Sequence, residues 1–141
     1  MQDKIQKIIN DFGQCPDWEK KYEKLIQYGK NLNGLPDSEK SEDLKVKGCQ
    51  SQVWIKAELV GDKIIFQGDS DAILVKGLVA MVLMIYNNET PENILKNEPS
   101  FLKEIGLDTG LSPSRSNGLY SMIKQVRHYA TAYQYLLSIK K

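Results

Sequence analysis

Cysteine is scarce in this chain, histidine scarcer still, and neither sign of charge is in excess. Cys15, Cys49 and His128 are the whole stock of thiols and imidazoles. A self-contained iron–sulfur site needs about three or four such ligands. No C-x-x-C pair is present to start a zinc site, and His128 lies in a regular helical pattern, so no resident metal is expected. The 19 basic and 18 acidic residues are mixed along the sequence and leave a formal charge of +1. That balance gives no basic face for nucleic acid. Tyr120, Tyr129, Tyr133 and Tyr135 recur at helical spacing and read as packing residues rather than a base-stacking platform. Long apolar runs are missing too. The most apolar stretch, Ala72 to Tyr86, is interrupted by Lys76 and falls short of the about 20 residues a membrane span requires, so it reads as a core helix and no membrane partner is expected. The opening residues, Met1 to Lys7, lack the apolar segment of a secretory signal and mix acid with base unlike a transit peptide. A cytoplasmic location follows as the expectation, and with it free thiols rather than a disulfide. Gly68-Asp69-Ser70-Asp71 and Gly77 have neither the lysine-threonine ending of a phosphate loop nor dinucleotide glycine spacing, so no nucleotide is implied. A papain-like hydrolase would need Cys49 and His128 to meet beside an orienting amide or acid, and no local signature asks for that.

What is present suits a single domain over residues 1–141. The chain has 141 residues, of which 41% are hydrophobic, enough for a real core. Ile5, Ile8, Ile9 and Phe12 form one helical stripe, and Trp18, Tyr22, Leu25 and Ile26 form another after Pro16-Asp17. The breakers and charges from Asn33 to Asp43 predict a surface connection. At Val53 the period changes to two: Val53, Ile55, Ala57 and Leu59 point one way, Trp54, Lys56 and Glu58 the other. Gly61-Asp62 turns the chain into Ile64-Ile65-Phe66, giving a hairpin over Val53 to Gln67, to which Lys45 to Lys47 would add an edge strand. Gly68-Asp69-Ser70-Asp71 is read as capping a helix that starts near Ala72, its acids at the positive end. Thr90-Pro91-Glu92 predicts a short helix to Leu95 or Lys96. Pro99 and Gly106 frame another short piece. After Ser112-Pro113-Ser114-Arg115, the residues Leu119, Met122, Ile123, Val126, Ala130, Tyr133 and Leu137 predict a long final helix. Helices, hairpin, helices is an α+β order, an antiparallel sheet with helices packed on one face.

Chemistry concentrates at Gly48-Cys49-Gln50-Ser51-Gln52-Val53-Trp54. A lone cysteine near a strand is more often a small buried hydrophobe than a nucleophile. Here, though, it stands beside glycine at the entrance to a strand, where a thiol can meet another protein. Gly48 reads both as a turn residue with positive φ and as clearance for a partner's backbone. Transfer of sulfur between cysteines requires a thiolate and an open line of approach. If the segment is extended, Lys45 and Lys47 share a side with Cys49 and would favour its ionised form. Gln50 and Ser51 read as polar filler or as hydrogen-bonding groups for the loop or a terminal sulfur. Cys15, between Gln14 and Pro16, is a secondary thiol at most.

Three blocks occur in order: Gly48-Cys49-Gln50-Ser51-Gln52-Val53-Trp54, then Gly68-Asp69-Ser70-Asp71-Ala72 with Val75-Lys76-Gly77-Leu78, then Leu111-Ser112-Pro113-Ser114-Arg115-Ser116-Asn117-Gly118-Leu119. Together they closely resemble the SufE family of cysteine-desulfuration proteins, from about Asp17-Trp18-Glu19 to the final helix. The resemblance implies a sandwich fold shared with IscU-type scaffolds. It implies that Cys49 accepts sulfane sulfur as a persulfide from a SufS-type cysteine desulfurase, stimulates that enzyme, and passes sulfur toward an iron–sulfur scaffold complex. On this reading the chain takes part covalently in sulfur transfer without being a stand-alone enzyme, and needs no cofactor, because pyridoxal phosphate belongs to the partner. Asp71 and Arg115, in the other two blocks, would orient the loop or meet the desulfurase; otherwise they read as a helix cap and a local salt bridge. A persulfide is readily reduced, so the cysteine loop is expected to tuck against apolar surface until a partner draws it out. The CsdE-like branch shares these motifs, which leaves a non-covalent adaptor of a CsdA-type desulfurase as the alternative, with a monomer or weak homodimer as the assembly.

Overall fold

The computed structural model describes residues 1–107 and 110–140. Two helices open the chain, α1 (Gln2–Gly13) and α2 (Trp18–Lys30). The Asp17 carboxylate accepts from the Lys20 amide 2.9 Å away and starts α2, as its position before the apolar stripe predicts. The connection from Asn31 is polar but not loose: it makes short 3-10 turns at Asp37–Glu39 and Glu42–Leu44 and buries Leu35. Strands β1 (Val53–Val60) and β2 (Lys63–Ser70) pair antiparallel, in a register running from Val53 opposite Ser70 to Val60 opposite Lys63.

Helices complete the fold: α3 (Ile73–Tyr86), α4 (Pro91–Lys96), α5 (Phe101–Ile105) and α6 (Pro113–Ile139). Thr90 accepts from the Asn93 amide at the start of α4, and Gly106 ends α5 in the left-handed region, both where the sequence places them. The core lies between one face of the hairpin, marked by Val53, Ile55, Ile64 and Phe66, and helices α3 and α6. On the opposite face Trp54 is also buried, with the Lys40 ammonium 5.2 Å from its ring centre. Helices α2 and α3 meet backbone to backbone: a Cβ on Gly77 would stand 2.1 Å from the Leu25 carbonyl oxygen. Only glycine fits there, and the contact fixes where the second turn of α3 crosses α2.

The expected edge strand is reduced to a bridge. Lys45 pairs with Trp54 alone, through the Val46 amide and the Val53 carbonyl at 2.8 Å, because Gly48 then turns the chain away. The rest of that edge is closed by side chains. Tyr129 and Tyr133, one helical turn apart on α6, donate their hydroxyls to the carbonyls of Ile55 and Ala57, both at 3.1 Å. Across the sheet, Asn87, Asn88 and Glu89 satisfy Ile64 and Phe66. A two-stranded sheet therefore survives with its edges occupied, and α6 is pinned along β1.

Candidate functional site

Cys49 sits on the loop between the Lys45 bridge and β1. From Lys47 to Ser51 the backbone makes no backbone–backbone hydrogen bond among the described residues. Gly48 takes φ +92°, and a Cβ there would lie 2.6 Å from Ser121 Oγ, so the position needs glycine for both conformation and space. The turn aims the Cys49 side chain inward. Its thiol is half-buried and donates to the carbonyl oxygen of Gly118, 3.6 Å away, in the second turn of α6. The sulfur faces a cavity of about 380 Å³ floored by Val75, Leu78 and Met122. Ile73, the most exposed large apolar side chain at 72%, stands at its rim with Gln50, Ser51 and Arg115.

Burial pushes the Cys49 thiol up from its ordinary value. The expected help from Lys45 and Lys47 does not materialise. Both line a separate groove with His128, and Lys45 pairs with Glu42 at 3.5 Å. Gly48 is the reason: its positive φ breaks the extended register that would have put the three side chains together. The free loop holds a neutral thiol as a hydrogen-bond donor in an apolar niche, where its nucleophilicity is suppressed.

Asp71 does not cap α3, although its place before the helix predicts that it would. Helix α3 begins at Ile73 with no side-chain cap and no acid in its first turn. The Asp71 carboxylate instead accepts from the Gln52 amide at 3.0 Å, the Asp71 amide donates to the Gln52 carbonyl at 3.3 Å, and Ser70 Oγ donates to the same carbonyl at 2.8 Å. Three bonds clamp the last residue of the loop. The alternation of β2 continues through Ser70, which carries the acids alongside β1 rather than onto the helix end. Asp71 thus ties the end of the loop to the start of β1.

Behind the clamp is a residue that sequence reasoning did not single out. Asp69 is buried; its carboxylate accepts from the amides of Leu35 at 3.1 Å and Ser70 at 2.8 Å, with Lys40 and Lys76 each 3.4 Å away. Burial pushes its pKa up, but the two amides and the two lysines outweigh it and hold the carboxyl below the usual range. An acid flanked by glycine and serine before a helix signals a cap. Partners at Leu35 and Lys40 leave no local trace.

Arg115 lies in the first turn of α6, exposed at the cavity rim, with no ion-pair partner among the described residues; its amide donates to the Ser112 cap at 3.3 Å. The local salt bridge read for it is absent among those residues. Arg115 and the positive end of a 27-residue helix share the cavity wall with the thiol. Gln50 and Ser51 line the cavity, and no side-chain hydrogen bond is formed by either among the described residues. Cys15 is free and half-buried, donates to the Asp11 carbonyl at 3.5 Å, and lines a groove between α1 and α2 apart from Cys49. His128 is exposed on the far groove and does not pair with Cys49. Among the described residues no cluster of three metal-ligating side chains occurs, and no helix is long and apolar enough to cross a membrane.

Comparison with known proteins bears on the family and the fold. Residues 6–130 match the family model SufE, described as an Fe-S metabolism associated domain. An uncharacterized SufE-like protein of Synechocystis sp. is 43% identical over 130 residues, covering 92% of this chain and 82% of its own length. The fold is shared with the solution structure of a hypothetical protein from Thermus thermophilus, at a TM-score of 0.76 and 21% identity, over 93% of this chain and 96% of that one.

Proposed function

The chain belongs to the SufE family, and with it to iron–sulfur metabolism; on that premise we propose that Cys49 is the acceptor of sulfane sulfur from the persulfide of a SufS-type cysteine desulfurase. The observation that carries the reading is the cavity: one thiol, half-buried on a loop clamped at Gln52 and otherwise short of backbone bonds, with room beside the sulfur and an open rim.

The chemistry follows from that geometry. Inside the niche the thiol is protonated and turned from solvent. When docking draws the loop outward, the desolvation that raised its pKa is relieved and the proton passes to solvent or a base of the partner. The Cys49 thiolate then attacks the outer sulfur of the donor persulfide. The new S–S bond forms as the donor's own S–S bond breaks, and the donor cysteine leaves as thiolate. No electrons are gained or lost overall. Returned to the cavity, the outer sulfur lies among Val75, Leu78 and Met122, away from reducing thiols, until an acceptor in a scaffold complex attacks it. Pyridoxal phosphate works in the desulfurase; this chain contributes the thiol, the shelter and the docking rim of Gln50, Ser51, Ile73 and Arg115.

Incubation with a SufS-type desulfurase and cysteine, followed by intact-mass measurement, tests the reading. The wild type gains the mass of one sulfur atom, reversed by a reducing thiol, and so does Cys15→Ser, whereas Cys49→Ser gains none. Sulfur retained on Cys49→Ser but lost from Cys15→Ser would overturn the assignment. Full stimulation of the desulfurase by Cys49→Ser would replace the carrier with a non-covalent adaptor.

A further inference from the structure

Helices α1, α2 and the second half of α3 enclose a cavity of about 550 Å³ that shares no lining residue with the one beside Cys49. Its floor is apolar: Phe66, Ala80 and Leu83 are buried, with Leu32 and Met84 partly buried at the walls. Its mouth is polar, and much of that polarity is uncommitted. The buried Tyr28 donates its hydroxyl to Asp11 Oδ2 at 2.7 Å, and Lys7 approaches the same oxygen at 3.4 Å. Asp11 Oδ1 has no partner among the described residues. Lys24 holds its ammonium 5.7 Å from the centre of the Tyr28 ring and makes no ion pair among those residues. Gln27 and Asn31, beside it, form no side-chain hydrogen bond there either. Burial pushes the Asp11 carboxyl up, but the Tyr28 hydroxyl and the Lys7 and Lys24 ammoniums outweigh it and hold it below the usual range. The mouth therefore presents one carboxylate and one ammonium that do not pair with each other.

We propose that this cavity binds a free α-amino acid with an apolar side chain, its ammonium on Asp11 Oδ1, its carboxylate on Lys24 and its side chain over Phe66 and Leu83. An apolar floor of this size with a few convergent polar groups is the usual form of a small-ligand site. The two charges select the class. A purely apolar occupant would cover Asp11 and Lys24 and leave both unsatisfied. A simple anion would face the Asp11 carboxylate, and a simple cation the Lys24 ammonium. A molecule carrying both signs on adjacent atoms pairs with each, through hydrogen bonds strengthened by charge on both partners. Gln27 and Asn31 supply further donors and acceptors at the rim. The site stands apart from the sulfur chemistry, since neither Cys49 nor any residue of its loop lines it.

Titration of the isotope-labelled full chain with L-leucine, followed by amide resonances, tests this. Signals from Tyr28 to Leu32 and from Ala80 to Asn87 shift saturably with a Kd of about 1 mM, the strength open to so small a ligand. Signals from Gly48 to Gln52 do not move, and Cys49→Ser binds equally well. Lys24→Met and Asp11→Asn each weaken binding about tenfold or more, as loss of a charged hydrogen bond requires. Asp11→Asn keeps an acceptor for the Tyr28 hydroxyl, and an otherwise unchanged spectrum shows that each variant is folded. Leucine stripped of its ammonium (4-methylpentanoate) or of its carboxylate (3-methylbutylamine) binds the wild type about tenfold more weakly or worse. No saturable shift up to about 20 mM leucine would overturn the proposal. So would equal affinity in both variants, either half-ligand binding as tightly as leucine, or shifts centred on the Cys49 loop.

Discussion

The Cys49 sulfur lies 3.6 Å from the carbonyl oxygen of Gly118, and a methyl group on that glycine would stand 3.4 Å from the sulfur. Helix α6 is thus bare where the thiol rests on it. Gly118→Ala just fits and adds helix propensity of about 0.5–1 kcal/mol, so the melting temperature holds or rises. Gly118→Val does not fit without displacing the sulfur. Its Cys49 is expected to alkylate with iodoacetamide several-fold faster than wild type, and its persulfide to be reduced faster by added thiol. Equal rates in Gly118→Val and wild type would mean that the niche shelters nothing.

Burial of Cys49 has a consequence in alkali. Its thiol pKa is raised in the folded chain, so the folded state holds the proton more tightly than the unfolded one. The stability this confers is complete below the unfolded thiol value and is lost as pH rises through the higher folded value. Chemical unfolding from about pH 8 upward is expected to show wild-type stability falling with pH more steeply than that of Cys49→Ser. The two curves converge in slope below that range. In the same window, iodoacetamide reacts with Cys49 along a titration curve displaced upward from that of an unfolded peptide. Adding the desulfurase brings the curve back toward the ordinary value, because docking relieves the desolvation.

Asp71 holds the loop by one carboxylate bond to the Gln52 amide. Asp71→Ala removes it at the surface for about 0.5–1.5 kcal/mol, leaving the core untouched. The effect is expected in motion rather than in stability: faster amide exchange from Gly48 to Gln52, and faster alkylation of Cys49. Asp71→Asn retains an acceptor and falls between. Alkylation unchanged in Asp71→Ala would place the restraint elsewhere, at Ser70 Oγ.

Local chemistry made much of this legible. The stripes of α1 and α2, the Thr90-Pro91 and Ser112-Pro113 starts, and the α+β order depend on residues within a turn of one another, and all appear as read. The placing of Cys49 on a loop at the entrance to β1 was legible from the glycine before it and the alternation after it. What escaped depends on distant partners. Gly118 meets Cys49 across 69 positions, and Asp69 meets Leu35 across 34. The acids before α3 carried a sound local signal for capping, which the strand pairing of Ser70 with Val53 overrode. Lys45 and Lys47 were misplaced relative to the thiol for a smaller reason: one positive φ at Gly48 reverses the parity of the segment.

Asp69 is where the fold and the site meet in one side chain. Its carboxylate joins Leu35 and Lys40 of the long connection to Lys76 of α3, and it directly precedes the Ser70 hydroxyl that grips Gln52. Asp69→Asn keeps the shape and loses the charge, at an expected cost of about 2 kcal/mol for hydrogen bonds to a charged group. The sign in acid follows from the lowered pKa: the contribution is present above the ordinary carboxylate value of about 4 and disappears as pH falls through the lower folded value. Wild-type stability is therefore expected to drop on acidification, with Asp69→Asn losing less over the same interval and the gap closing at low pH. Asp11 and Glu89, also held low by their partners, keep some acid slope in the variant. Because Asp69 backs the clamp, the variant is also expected to expose Cys49 to alkylation at neutral pH. Combining it with Asp71→Ala should then give less than the product of the two single effects, since both act on the hold over Gln52. Fully multiplicative rates in the double variant would separate the buried acid from the loop.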